Sequence, residues 1–148
     1  MQFSEDQETD ILEQATNYIC EKNAQGHKLT LEDETVIYIC EIIATMGTAN
    51  RPQEIYKLLS SKTKDAFTEI GAHEYAEVFG TTFNSAKEEI DKLKGIFKGS
   101  RKKKILNRHA VALYEATSIL EQSTSLVSTY LIPYIIKKFK DHITVKGK

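Results

Sequence analysis

Two long amphipathic stretches, residues 101–120 and 125–143, constrain the fold more than any other feature of this chain. The first sets Ile105, Leu106, His109, Leu113, Ala116, Thr117 and Leu120 at helical spacing. The second repeats the pattern with Leu126, Val127, Tyr130, Leu131, Tyr134, Ile135, Phe139 and Ile143. Side chains so spaced share one face of an α-helix, so each stretch carries a broad apolar stripe that must be buried. A short polar break at residues 121–124 predicts an antiparallel helical hairpin to which the other helices attach. Pro133 lies inside the second arm, where a proline removes a backbone hydrogen bond. It should kink that arm, at roughly 3 kcal/mol if nothing compensates.

The rest of the chain also reads as helices. Ser4-Glu5-Asp6-Gln7 has the form of a capping box, and Ile11, Leu12, Ala15, Tyr18 and Ile19 then trace one face to Lys22, before a stop at Gly26. Thr30 is the next N-cap, with Glu32, Asp33 and Glu34 at the positive helix end. The run at 36–46 is apolar nearly all round. Its β-branched residues would suit a strand, but the cap, the length and Gly47 favour a central buried helix, and no second run of this kind exists to pair with it. Pro52 opens a short helix at 50–59, and residues 65–70 add another turn or two after a break at 60–63. A third long helix covers 72–94, followed by a loop at 95–100. Gly80 in its middle costs about 1 kcal/mol relative to alanine. Close approach of another helix at Cys40 or Ala44 would account for it. Residues 146–148 read as a frayed tail.

Bulk properties agree with one all-α domain, residues 1–148, of about six helices. A chain of 148 residues with 41% apolar and 28% charged residues can bury a core of its own. No apolar run approaches the roughly 20 residues of a membrane span, and the first residues lack a secretory signal, so a cytoplasmic location is expected. Cys20 and Cys40 have neither metal-clip nor redox-pair spacing and read as two reduced core residues. The net charge of −1 conceals an asymmetry: residues 1–54 carry 11 acids and 3 bases, residues 55–148 carry 10 acids and 17 bases. The basic half would attract phosphate, an acidic partner, or the acidic half of a second copy.

The helix layout, with a short proline-started third helix, a long helix carrying Gly80 and a closing hairpin, resembles a globin. Haem globins place a histidine-bearing helix just ahead of that hairpin. Here the space holds Gly95-Ile96-Phe97-Lys98-Gly99-Ser100, which has no histidine, and His73 is poorly placed as an axial ligand, so no haem is expected. The chain therefore resembles the non-haem globin-like sensor domains of bacilli, and in size the free-standing, plasmid-borne sporulation-inhibitory sensor-domain proteins. That resemblance implies a homodimer with a fatty acid in an apolar interior. It also implies inhibition of sporulation by titrating the signal of a related sensor histidine kinase.

Several residues are candidates for that chemistry. His109, beside Arg108, could hold a carboxylate head group through a charge-assisted hydrogen bond, or could be a core-edge histidine bonded to a carbonyl. Phe67, Phe79, Phe83, Leu113, Tyr130 and Tyr134 could line an acyl tunnel, and core packing explains the same residues. Lys98, Arg101, Lys102, Lys103, Lys104 and Arg108 form a basic cluster that serves solvation or, as the alternative function, contact with nucleic acid. No known nucleic-acid motif accompanies it and no aromatic residues interleave it. With no phosphate loop, Glu-x-x-His pair or nucleophile elbow, and with His27, His73, His109 and His142 isolated in sequence, no enzyme and no metal site are expected. A purely structural adaptor is the third reading.

Overall fold

Reciprocal hydrogen bonds begin the first helix. Ser4 Oγ accepts from the Gln7 amide at 3.1 Å, and Gln7 Oε1 accepts from the Ser4 amide at 2.9 Å. This capping box opens α1 (Glu5–Ala24), and Gly26, at φ +81°, takes the left-handed conformation beyond its end. The computed structural model describes residues 2–46, 60–95 and 98–147; the expected helix at 50–59 lies outside them. Five further helices follow among the described residues: α2 (Leu31–Met46), α3 (Ser61–Glu69), α4 (His73–Asp91), α5 (Lys98–Ser123) and α6 (Ile132–Lys138). The architecture is an all-α bundle, and the described residues contain no strand. None of their helices is long and apolar enough to cross a membrane.

The second helix starts on a variant of the same box. Thr30 Oγ1 accepts from the Asp33 amide at 3.1 Å while Asp33 Oδ2 accepts from the Thr30 amide at 3.0 Å. A shorter Asp side chain thus does what Glu or Gln does in the usual form. Asp33 is 1% exposed and also receives Lys22 of α1 at 2.5 Å, so one carboxylate starts α2 and ties it to α1. The helix is buried along one face, through Val36, Ile39 and Ile42, whereas Glu34, Glu41 and Ala44 are exposed. The expectation of burial nearly all round is corrected accordingly.

The expected approach of Cys40 or Ala44 to Gly80 is not found either. The nearest neighbour to a methyl group placed on Gly80 is the side chain of Lys64 in α3, at 3.1 Å. A lysine stem covers this glycine, and no helix backbone does. Cys20 departs from expectation as well: it is exposed, and Cys40 is half-buried. Ile11, Ala15 and Ile19 form the buried stripe of α1, and a residue directly after Ile19 is turned about 100° away from it.

Helix bounds near the end of the chain also shift. The fourth helix ends at Asp91, short of 94, and α5 begins at Lys98, so Gly99 and Ser100 are helical and the connection falls three residues earlier than the expected loop at 95–100. The expected antiparallel hairpin is not how these stretches pack: α5 lies chiefly against α4 and α6 against α1, and the second arm is not one kinked α-helix. Val127–Leu131 forms a π-helical stretch in which the Ile132 amide reaches the Val127 carbonyl. This wider turn immediately precedes Pro133, which sits in the first turn of α6, where a missing donor costs least. The arm ends at Lys138, and a 3-10 turn, Lys140–His142, leads into an extended segment.

That segment is tied down as far as Lys146, contrary to the frayed tail expected at 146–148, of which Lys148 lies outside the described residues. Gln14 donates to the Thr144 carbonyl at 2.6 Å and accepts from its amide at 2.8 Å. One face of α1 also brings Gln7 to the Lys146 carbonyl at 2.8 Å and Asp10 to the Lys146 ammonium at 3.5 Å. Beneath, His142 stacks on Tyr18 with ring centres 4.0 Å apart. The core includes Phe67, whose ring lies 4.8 Å from Phe79 and 5.6 Å from Tyr75, together with Leu113, Leu131 and Ile135. Each of these side chains is at most 1% exposed.

Candidate functional site

A cleft opens beside this core, where the end of α2, the second half of α5 and the π-helical stretch meet. Its volume is about 340 Å³, and Ile43, Met46, Tyr114, Leu126 and Val127 supply its apolar walls. Tyr75 from α4 forms its inner end. Hydroxyl groups on the α5 wall are turned inward to their own helix. Thr117 Oγ1 donates to the Leu113 carbonyl at 2.9 Å, and Ser118 Oγ to that of Tyr114 at 2.8 Å. The wall therefore presents methyl and methylene groups although its sequence is polar. The π turn begins at this wall: Val127, which lines the cleft, is the first residue of the wider stretch that ends at Leu131.

Glu121 braces the cleft mouth. Its Oε1 accepts the Leu126 amide at 3.0 Å and the Tyr75 hydroxyl at 3.0 Å, and the same hydroxyl lies 2.7 Å from the Thr124 carbonyl. One carboxylate thus holds the α5 end, the start of the π stretch and α4 together. Burial pushes the Tyr75 pKa far up, and its hydrogen bond to Glu121 pushes it further, so this hydroxyl stays a donor. A second pair of the same kind, Tyr134 to Glu69 at 2.7 Å, joins α6 to α3. Burial again raises the tyrosine pKa first, and the Glu69 hydrogen bond adds to it.

None of the eight residues singled out from sequence lines this cleft. Phe67, Phe79 and Leu113 are core residues at most 1% exposed, Tyr134 is buried against Glu69, and Phe83 is half-buried on α4. Tyr130 is half-buried with its ring edge-on to Tyr75 at 6.2 Å. Arg108 and His109 do hold a carboxylate, but it belongs to the chain: Glu89 of α4 binds the Arg108 guanidinium through Oε1 and the His109 ring through Oε2. Those bonds, from His109 first and Arg108 next, hold the Glu89 pKa below the usual carboxylate range.

Sequence reasoning missed Ile43, Met46, Tyr114, Glu121 and Val127. Tyr114 lies beside Leu113, off the expected stripe, and Val127 was counted into the stripe of the second arm as a core residue, not as part of a site. A glutamate at the head of the polar break was the available signal for Glu121, since an acid there can hold the backbone amides of the next turn. Among the described residues no group of three or more His, Cys, Asp and Glu side chains is placed to hold a metal ion. No protein-family model, no curated protein and no solved structure matches this chain.

Proposed function

We propose that this chain is a ligand-binding sensor module that takes the acyl chain of a fatty acid or similar molecule in the cleft between α2, α5 and the π stretch. The observation that carries this reading is the pairing of an apolar wall with a volume of about 340 Å³, within the range of small-molecule sites. The Tyr114 hydroxyl, which has no hydrogen-bond partner among the described residues, gives the cleft one polar group to orient a ligand. The wall geometry calls for a slender, flexible ligand, which an acyl chain is. Following the resemblance to free-standing sporulation-inhibitory sensor-domain proteins, the module acts by titrating the signal of a related sensor histidine kinase.

The same reading includes a homodimer. Val111 and Ile119, 42% and 67% exposed, stand two turns apart on the outer face of α5, and their apolar surface supports pairing there. Native mass spectrometry of the purified protein, followed by titration with a saturated fatty acid, tests the proposal. Binding should occur and should weaken at least about tenfold in Val127→Trp, which fills the cleft from its wall. Absence of both co-purified lipid and measurable fatty-acid binding overturns it, and so does binding that Val127→Trp leaves intact.

A further inference from the structure

A second depression, of about 440 Å³, lies between the end of α4 and the first three turns of α5. We propose that it is a site for a phosphate group carried on an apolar body. Positions 101, 104, 105 and 108 of α5 share one helix face, and positions 89, 92 and 93 of α4 face them across the furrow. The polar rim is Lys92, Arg101, Lys104 and Arg108, and the floor is Leu93 and Ile105, both half-buried. Glu89 is the only acid among the described lining residues, and its two oxygens are already taken by Arg108 and His109. Lys92, Arg101 and Lys104 have no acidic partner among the described residues.

Three converging cations without counter-charge repel one another, and the first turn of α5 adds to this because it carries no acid at the positive end of the helix. A bound anion relieves both effects. A phosphate monoester, at about −1.5 to −2 near neutral pH, balances the rim better than a single carboxylate does. Arg101 offers a two-pronged donor to its oxygens, and the lysines supply point charge. The apolar floor is what sets this furrow apart from a bare ion site: a ligand must cover Leu93 and Ile105 as well as meet the charges. This assignment is independent of the acyl cleft, which lies toward the opposite end of α5.

The helix itself supplies the control. Lys102 and Lys103 stand on the same turn as Arg101 and Lys104, are exposed as those are, and do not line the furrow. Isothermal titration of the full chain with adenosine triphosphate, inorganic pyrophosphate, and vesicles of phosphatidylcholine with and without phosphatidic acid therefore separates a built site from general charge. For the nucleotide or the phosphatidic acid vesicles, whichever binds, Arg101→Gln with Lys104→Gln should weaken binding about tenfold or more, while Lys102→Gln with Lys103→Gln should change it less than about twofold. Which probe responds identifies the source of the phosphate. Equal losses in both double variants, pyrophosphate binding as tight as the larger probes, or no binding by any probe overturns the proposal. A duplex DNA oligonucleotide bound more tightly than every other probe, with equal losses in both variants, overturns it in favour of a nucleic-acid surface.

Discussion

Lys22 of α1 places its ammonium nitrogen 2.5 Å from Oδ2 of Asp33, a carboxylate that simultaneously caps the helix it belongs to. Replacing Asp33 by alanine removes the cap and the inter-helix bond together. The loss should be about 2–4 kcal/mol in urea unfolding, below the value for a stranded buried charge because Lys22 is 21% exposed and can turn to water. Burial works to raise the Asp33 pKa, but hydrogen bonds from Lys22 and Thr30 outweigh it and leave the pKa lowered from 3.8. The stability from this pair is thus full above about pH 3.8 and is lost as pH falls through the lower folded value. Seen from the other partner, the Asp33 hydrogen bond raises the Lys22 pKa from 10.5, so the same stability is full below that value and fades as pH rises through the folded one. A wild-type and an alanine variant with parallel pH–stability curves would contradict this account.

Tyr75→Phe keeps the ring in the core and removes the hydroxyl that serves Glu121 and the Thr124 carbonyl. Unfolding free energy should drop by about 1–2 kcal/mol. Hydrogen exchange should speed up at residues 124–131, because the loosened carbonyl sits just ahead of the π stretch. An unchanged exchange pattern there means that the hydroxyl does not brace the cleft.

Gly80→Ala discriminates between the observed neighbour and the helix crossing expected of a globin. A methyl group here meets only the bendable stem of Lys64, which can yield, while helix propensity improves. The variant should be more stable by roughly 0.5–1 kcal/mol. A backbone crossing at this glycine would instead make it clearly less stable, and thermal unfolding reads the sign directly.

Gln14→Ala cuts both hydrogen bonds to Thr144. The expected cost is about 1 kcal/mol, and it should be local: the segment 143–147 becomes open to limited proteolysis while the midpoint of global unfolding moves little. Resistance equal to that of the wild type would show that stacking of His142 on Tyr18 holds the segment by itself.

Much of the fold was legible because it depends on near neighbours in the chain. The Ser4 box, the Thr30 cap, the turn at Gly26 and the stripe of Ile11, Ala15 and Ile19 each involve residues within a few positions of one another. The departures arise where distant contacts decide. Nothing local announces that Asp33 will be bridged by Lys22, that Lys64 will cover Gly80, or that Gln7 and Gln14 will hold Lys146 and Thr144. Pro133 signalled a disturbance but not its form, since a π turn and a kink satisfy the same missing donor. The cleft was the least legible part. Its walls come from four elements, and the aromatic residues that looked suited to a ligand are spent on the core.

The contact between Gln7 and the Lys146 carbonyl has a practical corollary for anything attached to this chain. Polypeptide joined ahead of residue 2 and polypeptide joined beyond residue 147 both leave near the first turn of α1, where Gln7 holds Lys146. Fluorophores placed at those two positions would exchange energy efficiently in the native state and lose that transfer as α1 and the terminal segment part, giving the molecule an optical gauge of its own integrity.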